Sequence, residues 1–201
     1  MTVLIPRLRS YRFGAGLLLA AATIPALVAN AQQAHPVQIG ASYTYLHTNI
    51  LPGCNCFSMN GGNAQATVGL NRQFKAVAEA GATNRGGITP DRYTLTQVTY
   101  AFGLRYFPLP APKLRPFGET LFGGAHALGS LAPGNNAIGG SSNAIVLLAG
   151  GGLELRLTRA LVLQPARVDY ELTNFHNNQQ NIQNDVRLSA GVLLRLGGRN
   201  K

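Results

Sequence analysis

Residues 184–196 read NDVRLSAGVLLRL, and their side chains fall into two alternating classes. One parity is apolar and consists of Val186, Leu188, Ala190, Val192, Leu194 and Leu196. The other parity is largely polar and carries Asp185, Arg187, Ser189, Gly191 and Arg195. A period of two indicates a β-strand, because successive side chains of a strand point to opposite faces. Charges behind an unbroken apolar face are typical of a strand that has lipid on one side and a polar interior on the other.

The amino-terminal segment has the pattern of an export signal. A basic stretch contains Arg7, Arg9 and Arg12. An apolar stretch follows over residues 13–29, and it ends in the small-residue tripeptide Ala29-Asn30-Ala31. This order predicts a cleaved signal peptide at residues 1–31, with Gln32 as the first mature residue. The alternative is an uncleaved membrane helix, for which the apolar stretch is near the lower length limit.

The remaining composition excludes two classes of protein. Loss of the three signal arginines leaves 14 Lys and Arg against 7 Asp and Glu, so the net charge falls from +10 to +7. These basic residues are spread along the chain without interleaved aromatics, which argues against a nucleic-acid-binding protein. No apolar run after residue 31 reaches the length of a membrane helix. The basic charge favours contact with an anionic lipid or lipopolysaccharide surface.

Eight alternating segments separated by seven connections predict eight strands. The predicted strands are residues 37–46, 63–71, 74–83, 94–106, 115–127, 143–157, 160–172 and 184–196. The predicted long loops are 47–62, 84–93, 128–142 and 173–183, and the shorter turns are 72–73, 107–114 and 158–159. Long and short connections therefore alternate, as in outer-membrane barrels whose long loops face outward and whose short turns face the periplasm. Residues 32–201 are expected to form one outer-membrane β-barrel domain.

The apolar faces of the predicted strands differ in clarity. Strand four is clear, strands two and three have small outward residues, and strand five has large residues on both parities. On strand seven we assign Val162 to the outward face, and Gln164-Pro165 predicts a bulge because proline cannot donate a ladder hydrogen bond. Eight aromatic residues near strand ends predict an interfacial girdle: Tyr43, Tyr45, Tyr93, Tyr100, Tyr106, Phe107, Phe117 and Tyr170.

Four segments carry a resemblance to a known family. They are residues 56–62, 117–126, 150–156 and 164–170. They resemble the small outer-membrane β-barrel proteins grouped with the OmpA-like transmembrane domain, over about residues 37–197. The resemblance implies an all-β, eight-stranded antiparallel up-and-down transmembrane β-barrel. It also implies periplasmic chaperones and the barrel-assembly machinery as partners during assembly.

Charges on the polar parity are the strongest candidate site. We predict an interior charge network of Glu154, Arg156, Arg167, Asp169, Arg187 and Arg195, with Glu171, Arg105, Glu119 and Glu79 as further members. An eight-stranded barrel is just wide enough for its own side chains, so these charges are expected to be paired. One interpretation is a structural network that plugs the lumen, and the other is a salt-bridge gate to a narrow channel.

Other chemically suggestive residues are weaker candidates. Gly150-Gly151-Gly152 lacks the Lys-Ser/Thr of a phosphate loop and is expected to let strands bend or pack closely. A hydrolase would use His126, Ser130 and Glu119, but the sequence has no nucleophile elbow. Cys54 and Cys56 are expected to form a local disulfide or to be loop thiols, ahead of a metal site with His47. We therefore expect no enzyme activity, no cofactor and no metal.

The sequence favours a monomer with a structural or surface-interaction role. A narrow porin for small solutes is the first alternative, and a lipid-modifying enzyme that uses His126 is the second. A soluble lipocalin-like carrier is the third, and it would place apolar residues inside and charges outside. A nucleic-acid partner is not expected.

Overall fold

The computed structural model describes residues 36–49, 57–88, 93–109, 113–129, 140–175 and 182–196. The predicted signal peptide and the cysteine pair lie outside these residues and stay predictions. Within the described residues, no helix is long and apolar enough to cross a membrane.

Eight antiparallel strands close into a barrel, so the predicted fold class is confirmed. The strands are β1 (Val37–Asn49), β2 (Phe57–Gly69), β3 (Phe74–Ile88), β4 (Tyr93–Tyr106), β5 (Leu114–Gly129), β6 (Gly140–Arg156), β7 (Leu161–Thr173) and β8 (Gln183–Leu196). Each strand pairs with its sequence neighbours, and β8 pairs with β1 from Val37↔Leu196 to Asn49↔Asn184. We call the end that carries Val37 and Leu196 the terminal end, and the opposite end the loop end.

Several strands extend further toward the loop end than the sequence predicts. β2 begins at Phe57 instead of residue 63, and β6 begins at Gly140 instead of residue 143. The predicted alternation of long and short connections is therefore wrong in part. At the loop end, the connection 89–92 is as short as the terminal-end turn 70–73. At the terminal end, the connection 107–113 is as long as the loop-end connection 50–56. The residues by which these strands are longer than predicted are mainly Gly, Asn and Ser. Apolar and polar residues do not alternate among them over the length of a strand, so the sequence does not show that they pair.

The two faces of the wall have the predicted polarity. The large apolar side chains that are exposed on the outer wall include Tyr100, Phe102, Leu188 and Val192, which the strand periods assign to lipid. On β5, which the sequence leaves ambiguous, Phe122 faces outward and Phe117 and Leu121 face the interior. Apolar residues outside and charges inside are the reverse of a lipocalin-like carrier, so that alternative is wrong.

A bulge on β7 sets which of its side chains face the lumen. The register with β8 shifts between Gln164 and Arg167, and β6 shifts opposite the same point. Proline has no N–H for the ladder, and a bulge accommodates it by inserting one extra residue. The extra residue reverses the parity, so Gln164 and Arg167 both face inward. Val162 is consequently buried at 2% exposure, and its assignment to the outward face is wrong.

Polar side chains ring the outer wall toward the loop end. We call this ring the polar belt; it contains Asn60, Asn84, His126, Asn143 and Asn184. The Tyr43 and Tyr170 hydroxyls donate to the Oδ1 atoms of Asn60 and Asn184 at 2.6 and 2.7 Å. Tyrosines with an apolar ring below and a bonded hydroxyl above are typical of a membrane interface.

Phe107 and Phe117 do not belong to the aromatic girdle. Both are buried in the lumen at the terminal end, with ring centroids 5.8 Å apart. The guanidinium of Arg105 lies 4.2 Å from the Phe117 ring centroid, and that of Arg115 lies 4.0 Å from the Phe107 ring centroid. These two rings therefore pack against cations instead of lipid.

Candidate functional site

Four of the six predicted network residues lie together in the lumen. Glu154, Arg167, Asp169 and Arg187 are all buried. β6, β7 and β8 bring them onto one inner surface, because Asp169 pairs with Gly150 on one side and with Arg187 on the other.

Arg156 and Arg195 are placed differently from the prediction. Arg156 is exposed and Arg195 is half-buried, at the terminal opening of the lumen. Neither has a carboxylate within 4.0 Å in the part of the chain that the structure describes. They share the inward parity of their strands. Both lie at strand ends, where the lumen opens and fewer side chains pack around them.

Arg167 is the centre of the network. Its Nη1 contacts Glu79, and its Nε lies 2.5 Å from Glu119 Oε1 and 2.8 Å from Asp169 Oδ2. The Nε–H points directly at neither of these two oxygens, so these contacts are ion pairs without hydrogen-bond geometry. Arg167 is 1% exposed. A cation this deeply buried is tolerated because three carboxylates surround it.

Arg187 extends the network toward the loop end. Its Nη2 lies 2.7 Å from Glu79 Oε1 and 3.1 Å from Asp169 Oδ2, and its Nη1 is 4.0 Å from Glu171 Oε2. Glu171 also accepts a 2.6 Å hydrogen bond from Gln97 Nε2 across the lumen. Arg167 and Arg187 thus share Glu79 and Asp169.

Arg105 and Lys75 extend the network toward the terminal end. Arg105 donates through Nε to Glu119 Oε2 at 2.9 Å and through Nη1 to Glu154 Oε1 at 3.0 Å. Lys75 Nζ donates to Glu154 Oε2 at 2.9 Å. Lys75 and Arg105 are therefore the partners of Glu154. Its partners come from β3 and β4, across the lumen from β6.

These contacts form one continuous set, which we call the lumenal network. It consists of Lys75, Glu79, Arg105, Glu119, Glu154, Arg167, Asp169, Glu171 and Arg187. Lys75 was not in the predicted site, although it shares the inward parity of Glu79 on its own strand. Burial of charge costs free energy that only close pairing and hydrogen bonding offset, so each member depends on its partners.

The glycine run on β6 makes room for the network. A Cβ on Gly150 would lie 2.5 Å from Asp169 Oδ1, and a Cβ on Gly152 would lie 2.9 Å from the Phe117 ring. Both distances are too short for real side chains. The run therefore serves close packing, as expected, and the β6 strand continues through it without a helix.

The lumen is not wholly polar. An apolar cluster fills its half toward the loop end and includes Leu46, Met59, Leu95, Ala127 and Phe175. We call these five residues the apolar cap. Apolar as well as charged side chains therefore pack inside the barrel.

The hydrolase candidates are not brought together. His126 lies on the outer wall in the polar belt, with Nδ1 2.6 Å from Asn143 Oδ1. Glu119 lies inside the lumen against Arg105, and Ser130 lies outside the described residues. Among the residues described, no group of three or more His, Cys, Asp or Glu is arranged to hold a metal ion.

Two lumenal cavities are small. One of about 40 Å³ lies at the terminal opening beside Lys75 and Arg195, and one of about 10 Å³ lies beside Asn63 and Glu171. The first has room for a few water molecules and the second for about one.

Comparison with solved structures identifies the same architecture. The attachment invasion locus protein Ail of Yersinia pestis matches with a TM-score of 0.58 and 14% identity, over 81% of this chain and 99% of that chain. The chain has the fold of the small outer-membrane β-barrels. Neisserial surface protein A matches this barrel with a TM-score of 0.60 and 16% identity, over 80% and 96% of the two chains. The N-terminal β-barrel domain of Pseudomonas aeruginosa OprF matches it with a TM-score of 0.50 and 17% identity, over 81% and 98%.

Sequence comparison adds no narrower assignment for the barrel. No protein-family model matches the chain, and no curated protein is significantly similar to it. The solved structures that share its fold are bacterial outer-membrane proteins.

Proposed function

We propose that the mature chain is a monomeric bacterial outer-membrane barrel with a lumen closed to solutes and a structural or surface-interaction role. The observation that carries this proposal is the filled lumen. The lumenal network occupies its centre, the apolar cap closes it toward the loop end, and Phe107 and Phe117 narrow it toward the terminal end.

The outer wall supports the membrane location. An apolar surface runs from the terminal end to the polar belt, and contact of such a surface with lipid is more favourable than its contact with water. Because every strand is paired on both sides, no backbone edge remains to recruit a second copy, which favours a monomer. We expect lipopolysaccharide and lipid to contact this wall, and chaperones and the assembly machinery to deliver the barrel.

The loop end is the surface that would meet an external partner. Both chain ends of the barrel lie at the terminal end, which outer-membrane barrels keep in the periplasm. That orientation places the connections 50–56, 89–92, 130–139 and 174–182 outside the cell. A role in surface interaction also agrees with the names of the attachment protein and the surface protein that share the fold.

An epitope tag inserted within residues 130–139 is expected to bind antibody on intact cells. The same tag between Thr158 and Arg159, in the turn before β7, is expected to bind only after the outer membrane is permeabilised. The measurement is flow cytometry on intact and permeabilised cells, with heat-dependent gel migration as the control for folding. Labelling of the Thr158 insertion on intact cells would contradict the orientation.

A further inference from the structure

The terminal opening of the lumen is lined by four basic side chains and, among the described residues, one carboxylate. Lys75, Arg115, Arg156 and Arg195 surround the cavity of about 40 Å³, together with Glu154. We call this set the terminal mouth. All four cations lie on the inward parity of their strands, so they face the lumen opening and not the lipid.

Glu154 is already occupied by other cations. Its Oε1 accepts from Arg105 Nη1 at 3.0 Å and from Lys75 Nζ at 3.1 Å, and its Oε2 accepts from Lys75 Nζ at 2.9 Å. Within the described residues, Arg115, Arg156 and Arg195 have no carboxylate within 4.0 Å. Three guanidinium groups therefore share one opening without an acidic partner.

Among the residues that the structure describes, no acid other than Glu154 lines the terminal mouth. The sequence contains 7 Asp and Glu. Five of them besides Glu154 are buried further along the lumen: Glu79, Glu119, Asp169, Glu171 and Asp185. The seventh, Asp91, stands between β3 and β4 in the sequence.

The three arginines repel one another. Arg156 and Arg195 both act on Arg115 as like charges, and Arg156 does so on Arg195, while Glu154, beyond ion-pair distance, attracts Arg115 and Arg195. An anion in the mouth would convert this repulsion into attraction. Arginine is suited to this task, because its planar fork of N–H donors matches the oxygens of a phosphate group.

We propose that the terminal mouth is an oxyanion site that binds a phosphate group through Arg115, Arg156 and Arg195. The cavity has room for a few water molecules, whose places the oxygens of one phosphate group would take. The phosphate comes either from free inorganic phosphate or from a phospholipid headgroup that reaches the rim. The site lies at the opposite end of the barrel from the loops and does not depend on their role.

The test is calorimetric titration of inorganic phosphate into the folded barrel in maltoside micelles, which contain no phosphate. The matched variants are Arg156→Gln/Arg195→Gln in the mouth and Arg85→Gln, an exposed arginine at the loop end of β3. Saturable binding is expected in the unmutated protein and in Arg85→Gln. Loss of about tenfold in affinity per mouth arginine is expected in the double variant, because each removes charge-assisted hydrogen bonds.

A second arm distinguishes the source of the phosphate. Native mass spectrometry with phosphatidylglycerol measures headgroup binding in the same three proteins. Binding of either probe that the double variant loses and Arg85→Gln keeps supports the site and identifies its source. Absence of saturable binding for both probes, or equal binding in the double variant, would overturn the proposal. The single variant Arg156→Gln, at an exposed position, replaces the double variant if the latter does not fold.

Discussion

Replacement of Arg167 by methionine is expected to lower the free energy of unfolding by about 3–5 kcal/mol. Arg167 contacts Glu79, Glu119 and Asp169 in the lumen, and methionine would leave these carboxylates with one cation fewer. The cost arises because buried charge without a partner keeps its desolvation penalty. The measurement is urea unfolding in phospholipid vesicles followed by circular dichroism, since the chain has no tryptophan for fluorescence.

Arg85→Met is the matched control for Arg167→Met. Arg85 is exposed at the loop end of β3, and such surface changes usually stay within about 0.5 kcal/mol. The double change Arg167→Met/Glu79→Gln is expected to be less destabilised than the sum of its parts, since it removes one of the stranded charges. If Arg167→Met unfolds with the same free energy as the unmutated protein and also conducts ions, the network is a gate and not a structural plug.

Arginine at Val192 is expected to cost about 2–4 kcal/mol of folding free energy in lipid. Val192 faces outward on β8 between the polar belt and the terminal end, and a guanidinium there must either lose its water or distort the bilayer. Urea unfolding in vesicles measures the change.

Ile182→Arg is the control for Val192→Arg. Ile182 is also exposed and immediately precedes β8, beyond the polar-belt residue Asn184. The cost of arginine falls to about 0–1 kcal/mol near the interface, so this variant is expected to resemble the unmutated protein. Equal stability of the two variants would contradict the position of the membrane on the wall.

The two faces of the wall could be predicted from the sequence because alternation is a local property. Leu188 and Phe102 are outward, and Arg187 and Glu154 inward, because of neighbours two residues away. The proline in β7 also predicted the bulge. Its effect on Val162 could not be predicted. The bulge reverses the inward and outward faces between the residues before it and those after it, and the sequence does not say which of the two segments keeps the predicted faces.

The partners of the buried charges could not be predicted in the same way. Glu154 meets Lys75 and Arg105, which are 79 and 49 residues earlier in the chain. Which side chains meet across a lumen depends on barrel closure and on the register of every strand between them. Lys75 shares a parity with Glu79 behind a row of alanines, and that signal could have placed it in the site.

Two of the five residues of the apolar cap escaped prediction for a different reason. Met59 and Phe175 lie in segments assigned to long loops, where polar neighbours hide the strand period. Single apolar residues in such segments give no periodic pattern, although the structure packs them together inside the barrel.

The most direct test of the closed lumen is the ionic conductance of the unmutated mature protein in a planar bilayer. Insertion of folded barrel is verified beforehand by heat-dependent gel migration of the same preparation. Because the lumenal network and the apolar cap fill the lumen, we expect no stable current steps above the leak of the bare bilayer. Reproducible single-channel steps from the unmutated barrel would contradict the closed lumen.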